Sequence, residues 1–313
     1  MSKNQMPRPP EPIVPDPNWP YYELHLSVKK AIYSLPSGFK SVLNIDGVLA
    51  TDLFAFNSSL GATIEQQVVD SLNRLRSVWD PDQKYALYAF ERQSQTFPDV
   101  VLRASAPGVE ASVILGIELK GWYVLAKEKE PSFRYKVTPS VCAPADLLVM
   151  VPWALANVIS GSPIVFEPFV MGARHAAEYR NWYWAHKRRG VSDRGIHLSS
   201  VEQYYPTKSD MISDRPASDS GGNFGRLARA GVMEGYIAKL FEEKLAGIRL
   251  SAWQQFFSIF TENVSSDEID SALERIAKNA AASVSDVKTA SELAKKFREI
   301  AALIDGAYLR DKK

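Results

Sequence analysis

Residues 111–125, ASVILGIELKGWYVL, constrain this chain more than any other stretch. Branched aliphatic and aromatic side chains dominate it, the composition of a buried strand. Three neighbouring runs have the same character: KYALYAFERQ and FPDVVLRAS before it, and DLLVMVPWAL after it. A different period precedes them. Ile64, Val68, Leu72, Leu75 and Val78 recur at helical spacing through residues 61–79, and the helix pattern ends at Asp80-Pro81. Strand runs bracketed by an amphipathic helix predict an α/β protein with a mixed central sheet flanked by helices.

Punctuation along the chain divides it further. Residues 1–36 read as a proline-rich arm followed by a short helix over 21–35, stopped by LPSG. Residues 37–190 hold the strand runs and form the core, closing on a helix over 174–190 crowded with Arg, His and aromatics. Residues 191–313 begin as loops rich in Gly, Ser, Pro and Asp. Helical patterns then cover 225–247, 251–263, a segment opened by the capping box of Ser265 and Glu268, and 286–305.

Composition narrows the setting. No apolar run approaches the roughly 20 residues of a membrane helix, and the polar N-terminus lacks the apolar centre of a secretory signal. A single cysteine, Cys142, leaves no intrachain disulfide and makes a thiolate metal cage a poor fit. The expectation is a cytoplasmic protein with no membrane partner. The net charge of +1 makes no global demand for nucleic acid. Basic residues are nevertheless in excess over 174–229, where His175, His186 and His197 also lie, at spacings unsuited to a zinc cluster.

Several charges sit where burial is expected. Glu118 and Lys120 are two apart within the apolar run, so they share one face of the strand. Asp99 follows Pro98 directly before the apolar VVL, and Glu65 borders the apolar stripe of its helix. Each has a bland reading: an exposed pair on an edge strand, a turn residue after proline, a polar residue at the rim of a helix stripe. Together they put three carboxylates and a lysine on elements built for the interior. Carboxylates drawn together repel unless a cation joins them, and a hard divalent ion suits oxygen ligands.

Pro98-Asp99, eighteen intervening residues, and Glu118-Leu119-Lys120 resemble the PD-(D/E)XK nuclease motif. PADLLVMVPWAL, ARHAAEYRNWYW and DSGGNFGRLAR further resemble segments of type II restriction endonucleases. The resemblance implies the restriction-endonuclease-like core that the superfamily shares, with a helical C-terminal part. It implies Asp99, Glu118, Lys120 and Glu65 as catalytic residues, and Mg2+ held by Asp99, Glu118 and the backbone carbonyl of Leu119. Lys120 would orient or deprotonate the attacking water or stabilise the phosphate, and Glu65 would complete the metal's surroundings. The reaction would be hydrolysis of double-stranded DNA to 5′-phosphate and 3′-hydroxyl ends.

Recognition falls to the basic segment. Arg174, Arg180, Asn181, His186, Lys187, Arg188 and Arg189 carry groups suited to phosphates and base edges, although Trp182, Tyr183 and Trp184 among them suit packing onto a core and Arg180 and Asn181 are expected to be partly structural as well. Asn223, Arg226 and Arg229 form a second set, with Asp219 or Ser220 as a helix cap nearby. The region 191–313 is expected to serve recognition and dimerisation. Cutting two strands favours a homodimer on a palindromic site, with a cognate DNA methyltransferase as a functional partner. A repair, junction or nicking nuclease of the same superfamily, and a non-catalytic DNA-binding protein, stay open at this point.

Overall fold

The computed structural model describes residues 6–47, 56–93, 96–104, 112–188, 192–206, 211–219 and 221–258, with isolated positions between 271 and 299. Helices α1 (Tyr22–Tyr33), α2 (Leu35–Gly38), α3 (Phe56–Arg74) and α4 (Arg76–Trp79) come first. Strands β1 (Tyr88–Arg92), β2 (Val100–Ala104), β3 (Val113–Tyr123), β4 (Leu147–Leu155), β5 (Pro163–Val165) and β6 (Phe169–Gly172) follow, then helix α5 (Ala173–Trp182) with a π turn over Tyr183–Lys187. Two-residue strands β7 (Ile196–His197) and β8 (Arg215–Pro216) precede helix α6 (Glu234–Leu240), the pair β9 (Lys244–Leu245) and β10 (Ile248–Arg249), and helix α7 (Leu250–Phe257).

The protein is α/β, a mixed central sheet flanked by helices, with further helices toward the C-terminus. Strands run in the order β1-β2-β3-β4-β5, and β6 also pairs with β4. β3 and β4 are parallel, while the other pairs of this sheet are antiparallel. The sequence of β4 explains its place: all nine of its residues are buried, which suits a run apolar on both faces. Helix α3 packs on β1 and β3 through the predicted stripe of Ile64, Val68 and Leu72. Helix α5 packs on β4 and β6 through Ala173, Ala176 and Ala177.

Two sequence expectations change here. Residues 225–247 are not one helix. A 3-10 turn over Ala228–Ala230 ends at Gly231, whose φ of +84° is left-handed and stops the helical path before α6 begins. Beyond α6 the chain reverses through Ala246-Gly247, both at positive φ, into the β9–β10 hairpin. Asp219 caps no helix: its Oδ1 accepts from the N–H groups of Asn223 and Phe224 and shapes a loop. Ser220, the Ser265–Glu268 box and the segment 286–305 lie outside the continuous described segments. Among the described residues no helix is long and apolar enough to cross a membrane.

Helix α1 joins the core through Leu24, Val28, Ala31 and Ile32, and it buries His25 with them at 4% exposure. Neither ring nitrogen of His25 has a hydrogen-bond partner among the described residues. Burial, reinforced by the Lys29 ammonium, pulls its pKa down to about 4. An unfolded imidazole protonates near 6.5. Between those values the unfolded chain binds the extra proton, so stability falls as pH drops below 6.5, by about 3 kcal/mol for this group. Urea unfolding at pH 6.5 and at pH 4.5 should show about 2 kcal/mol of this loss in the wild type and not in His25→Leu. Glu118 and Asp146, whose pKa values burial raises, act with the opposite sign, but equally in both proteins.

Candidate active site

The site forms where β2 leaves β3. β2 pairs with β3 from Val100↔Ile117 onward, so one further step places Asp99 opposite Glu118. Among the described residues that edge of β3 has no strand partner beyond Ile117, while its other edge continues along β4 to Tyr123↔Trp153. The backbone N–H groups of Leu119 and Gly121 therefore need other acceptors. Asp99 Oδ2 accepts from Leu119 N at 3.1 Å, and Glu65 Oε1 accepts from Gly121 N at 3.2 Å. In a strand the N–H and C=O of one residue project to the same edge, so the carbonyl of Leu119 opens toward this gap as well.

Local packing aims Asp99. Gly116, two residues before Glu118 on β3, lies under Pro98: a Cβ built on it would sit 2.3 Å from Pro98 Cγ. Buried Asp146 ties down the same stretch, accepting from Gly116 N at 2.7 Å, from Ala143 N at 2.7 Å and from the Tyr205 hydroxyl at 3.0 Å. Asp146 was not singled out from sequence. Its signal was a carboxylate at the head of the fully apolar LLVMV.

Lys120 joins the two carboxylates. Its Nζ lies 2.8 Å from Glu118 Oε1 and 3.0 Å from Asp99 Oδ2. Both acids therefore converge on one point, their oxygens no farther apart than two hydrogen bonds end to end. Burial pushes the Glu118 carboxyl up to about 7; Lys120 opposes the shift and Asp99 adds to it. Burial also works against the Lys120 ammonium, but Glu118 and then Asp99 outweigh it and hold its pKa above the ordinary lysine value. With both carboxylates facing it, Lys120 is a cation and a hydrogen-bond donor. Donating to both carboxylates suits Lys120 to orient a water or stabilise a phosphate.

Glu65 stands beside the pair and does not close a triad. Its second oxygen pairs with Arg92 at 3.3 Å, and Arg92 also reaches the carbonyl of Ala62 at 3.2 Å. Burial raises the Glu65 pKa; the Lys120 ammonium opposes this and the Asp99 carboxylate adds to it. Among the described residues no group of three or more His, Cys, Asp or Glu is arranged to hold a metal ion. The available donors are the carboxylates of Asp99 and Glu118 and the Leu119 carbonyl. This all-oxygen set fits Mg2+, which takes one or two carboxylates and leaves its remaining positions to water and phosphate.

The basic residues divide. Arg180 is 2% exposed, and its guanidinium donates to the carbonyls of Tyr135 and Val137 and pairs with buried Asp214 at 2.5 Å. Asn181 bonds the same Asp214 oxygen at 3.0 Å. These two expected DNA contacts are internal supports, because the chain over 211–217 brings a carboxylate against α5. Arg174 is half-exposed and pairs with Glu178 one turn along α5. Arg226 pairs with Glu128 at 3.3 Å and Arg229 with Glu130 at 2.5 Å, in the turn after β3. Lys187 and His186 are exposed, and Arg189 lies outside the described residues. Lys187, Arg188, Asn223 and Arg229 line one cleft although they come from distant segments.

No family profile matches the chain, nor does any curated protein or solved structure.

Proposed function

We propose that this chain is a metal-dependent endonuclease of the PD-(D/E)XK type acting on double-stranded DNA, with the restriction enzymes as its nearest functional class. One observation carries the reading: Asp99, directly before β2, and Glu118, on the adjacent β3, meet at the nitrogen of Lys120. The bland reading of Glu118 and Lys120 as an exposed pair on an edge strand loses its ground, since Glu118 is 8% exposed. Burying opposed charges is weak support for stability and is costly unless some use repays it.

Asp99, Glu118 and the Leu119 carbonyl would hold Mg2+. When bound, that ion supplies Lewis acidity toward a scissile phosphate and acidifies an attacking water. Lys120, an ammonium beside the pair, donates hydrogen bonds to a water or a phosphate oxygen and counters charge that develops there. Glu65 and Arg92 fix α3 against the open edge of β3 and hold the Gly121 end of the site. Two such sites in a homodimer would cut both strands of a duplex; the cytoplasm, with a cognate methyltransferase protecting host DNA, is the setting such an enzyme needs.

Digestion of supercoiled plasmid with and without Mg2+ tests this. Discrete linear fragments that require Mg2+ support restriction. Nicks or smears point to a repair, junction or nicking enzyme. Unchanged plasmid under both conditions, with DNA still bound, leaves a non-catalytic DNA-binding protein whose acidic pair is an ion-paired support.

A further inference from the structure

The cleft lined by Lys187, Arg188, Asn223 and Arg229 is the surface that the catalytic pair does not explain. It has a volume of about 620 Å³ and is walled on one side by Tyr183 and Trp184 of the π turn. Its two guanidiniums are held in place. The Arg188 guanidinium lies 3.6 Å above the Trp184 ring. Trp184 is itself buried and packs edge-on against Phe224, 5.0 Å away, in the loop that carries Asn223. Arg229 donates through Nε to Glu130 at 2.5 Å and through one terminal nitrogen to Asn223 Oδ1 at 2.6 Å. Two of its five donors are thereby used, and its plane is fixed. Lys187 is exposed.

We infer that this cleft seats the phosphodiester backbone of the DNA duplex, with Lys187 and Arg229 each contacting a phosphate. The inference rests on DNA being the substrate proposed above. Charge complementarity selects the occupant: three cations and an amide donor from two segments surround an open cleft, with Glu130 as the acid that holds Arg229. A guanidinium pinned on an aromatic ring and another braced by an amide lose little freedom on meeting a phosphate. Contacts of this kind position a duplex without reading its bases. They place the loop over 221–229 and the end of α5 on the DNA-facing side.

The test is fluorescence anisotropy with a labelled duplex in EDTA, so that no cleavage occurs, across a series of salt concentrations. Lys187→Ala and Arg229→Gln should each weaken binding about five- to tenfold and lower the slope of log affinity against log salt by about one. The double variant should lose about two. Lys187→Ala changes an exposed side chain, so it decides the matter even if Arg229→Gln perturbs the loop. Wild-type affinity and slope in the double variant, with Mg2+-dependent cleavage intact, would overturn this interface and leave the nuclease reading standing. Salt-dependent binding that maps to the cleft in a protein that cuts nothing would do the reverse. A wild type that binds no duplex overturns the interface outright.

Discussion

Asp99→Ala should abolish Mg2+-dependent plasmid cleavage, a loss of about a thousandfold or more, while duplex binding in EDTA stays near wild type. The size follows from what is removed. Asp99 is one of two carboxylates at the convergence point, and Lewis-acid stabilisation of a phosphoryl transition state is worth several kcal/mol, at 1.36 kcal/mol per tenfold. Glu118→Ala and Lys120→Ala should fall as far. Asp99→Asn keeps an oxygen for Leu119 N and Lys120 Nζ but removes the charge. If it cuts as poorly as alanine, the loss is of charge and not of fold. Glu65→Ala should be milder, because Glu65 serves the Gly121 N–H and Arg92, and not the point where the pair meets. Gel shifts and thermal melts separate loss of chemistry from loss of protein. Metal-dependent cleavage by Asp99→Ala at the wild-type rate would remove this site from consideration.

That site was legible because its residues offend their surroundings. Glu118 and Lys120 interrupt a strand otherwise built for burial, and a period of two puts them on one face without any structure. Asp99 is joined to them in sequence only through the resemblance to the nuclease motif, and the register of β2 against β3 sets it opposite Glu118. The nine residues of β4 and the stripe on α3 were readable from hydrophobic pattern alone. Docking was not. Whether Glu65 meets the metal donors or the next N–H depends on how α3 lies against β3, which no local period encodes. Arg226 and Arg229 look free in sequence because Glu128 and Glu130 are about a hundred residues away. The misread helix over 225–247 had a different cause. Its apolar spacing is real, but Gly231 takes a left-handed backbone, and one such residue outweighs the periodicity around it.

Arg180 shows the same limit with a large energetic consequence. In sequence it belongs to a basic segment; in the fold it is the cation of a buried pair. Replacing it with methionine should destabilise the protein by about 3–5 kcal/mol, because Asp214 then remains buried with its charge uncompensated. The carbonyls of Tyr135 and Val137 also lose their donor. Asp214→Asn should cost a comparable amount: an amide oxygen can still accept from Arg180 and Asn181, but Arg180 then stays buried as the uncompensated charge and Ser199 N loses its acceptor. Chemical denaturation of both variants checks both losses. The loss from Arg180→Met should persist at high salt, because a pair 3% and 0% exposed is little screened. Salt also separates Arg180 from Lys187. If Arg180 were a phosphate contact, its removal would lower the salt slope of DNA binding and leave the melting temperature alone. An internal support gives the opposite pattern: a large drop in melting temperature and an unchanged slope in whatever fraction remains folded. Unaltered stability in Arg180→Met would mean that Asp214 finds another partner, and the anchoring of α5 would have to be assigned elsewhere.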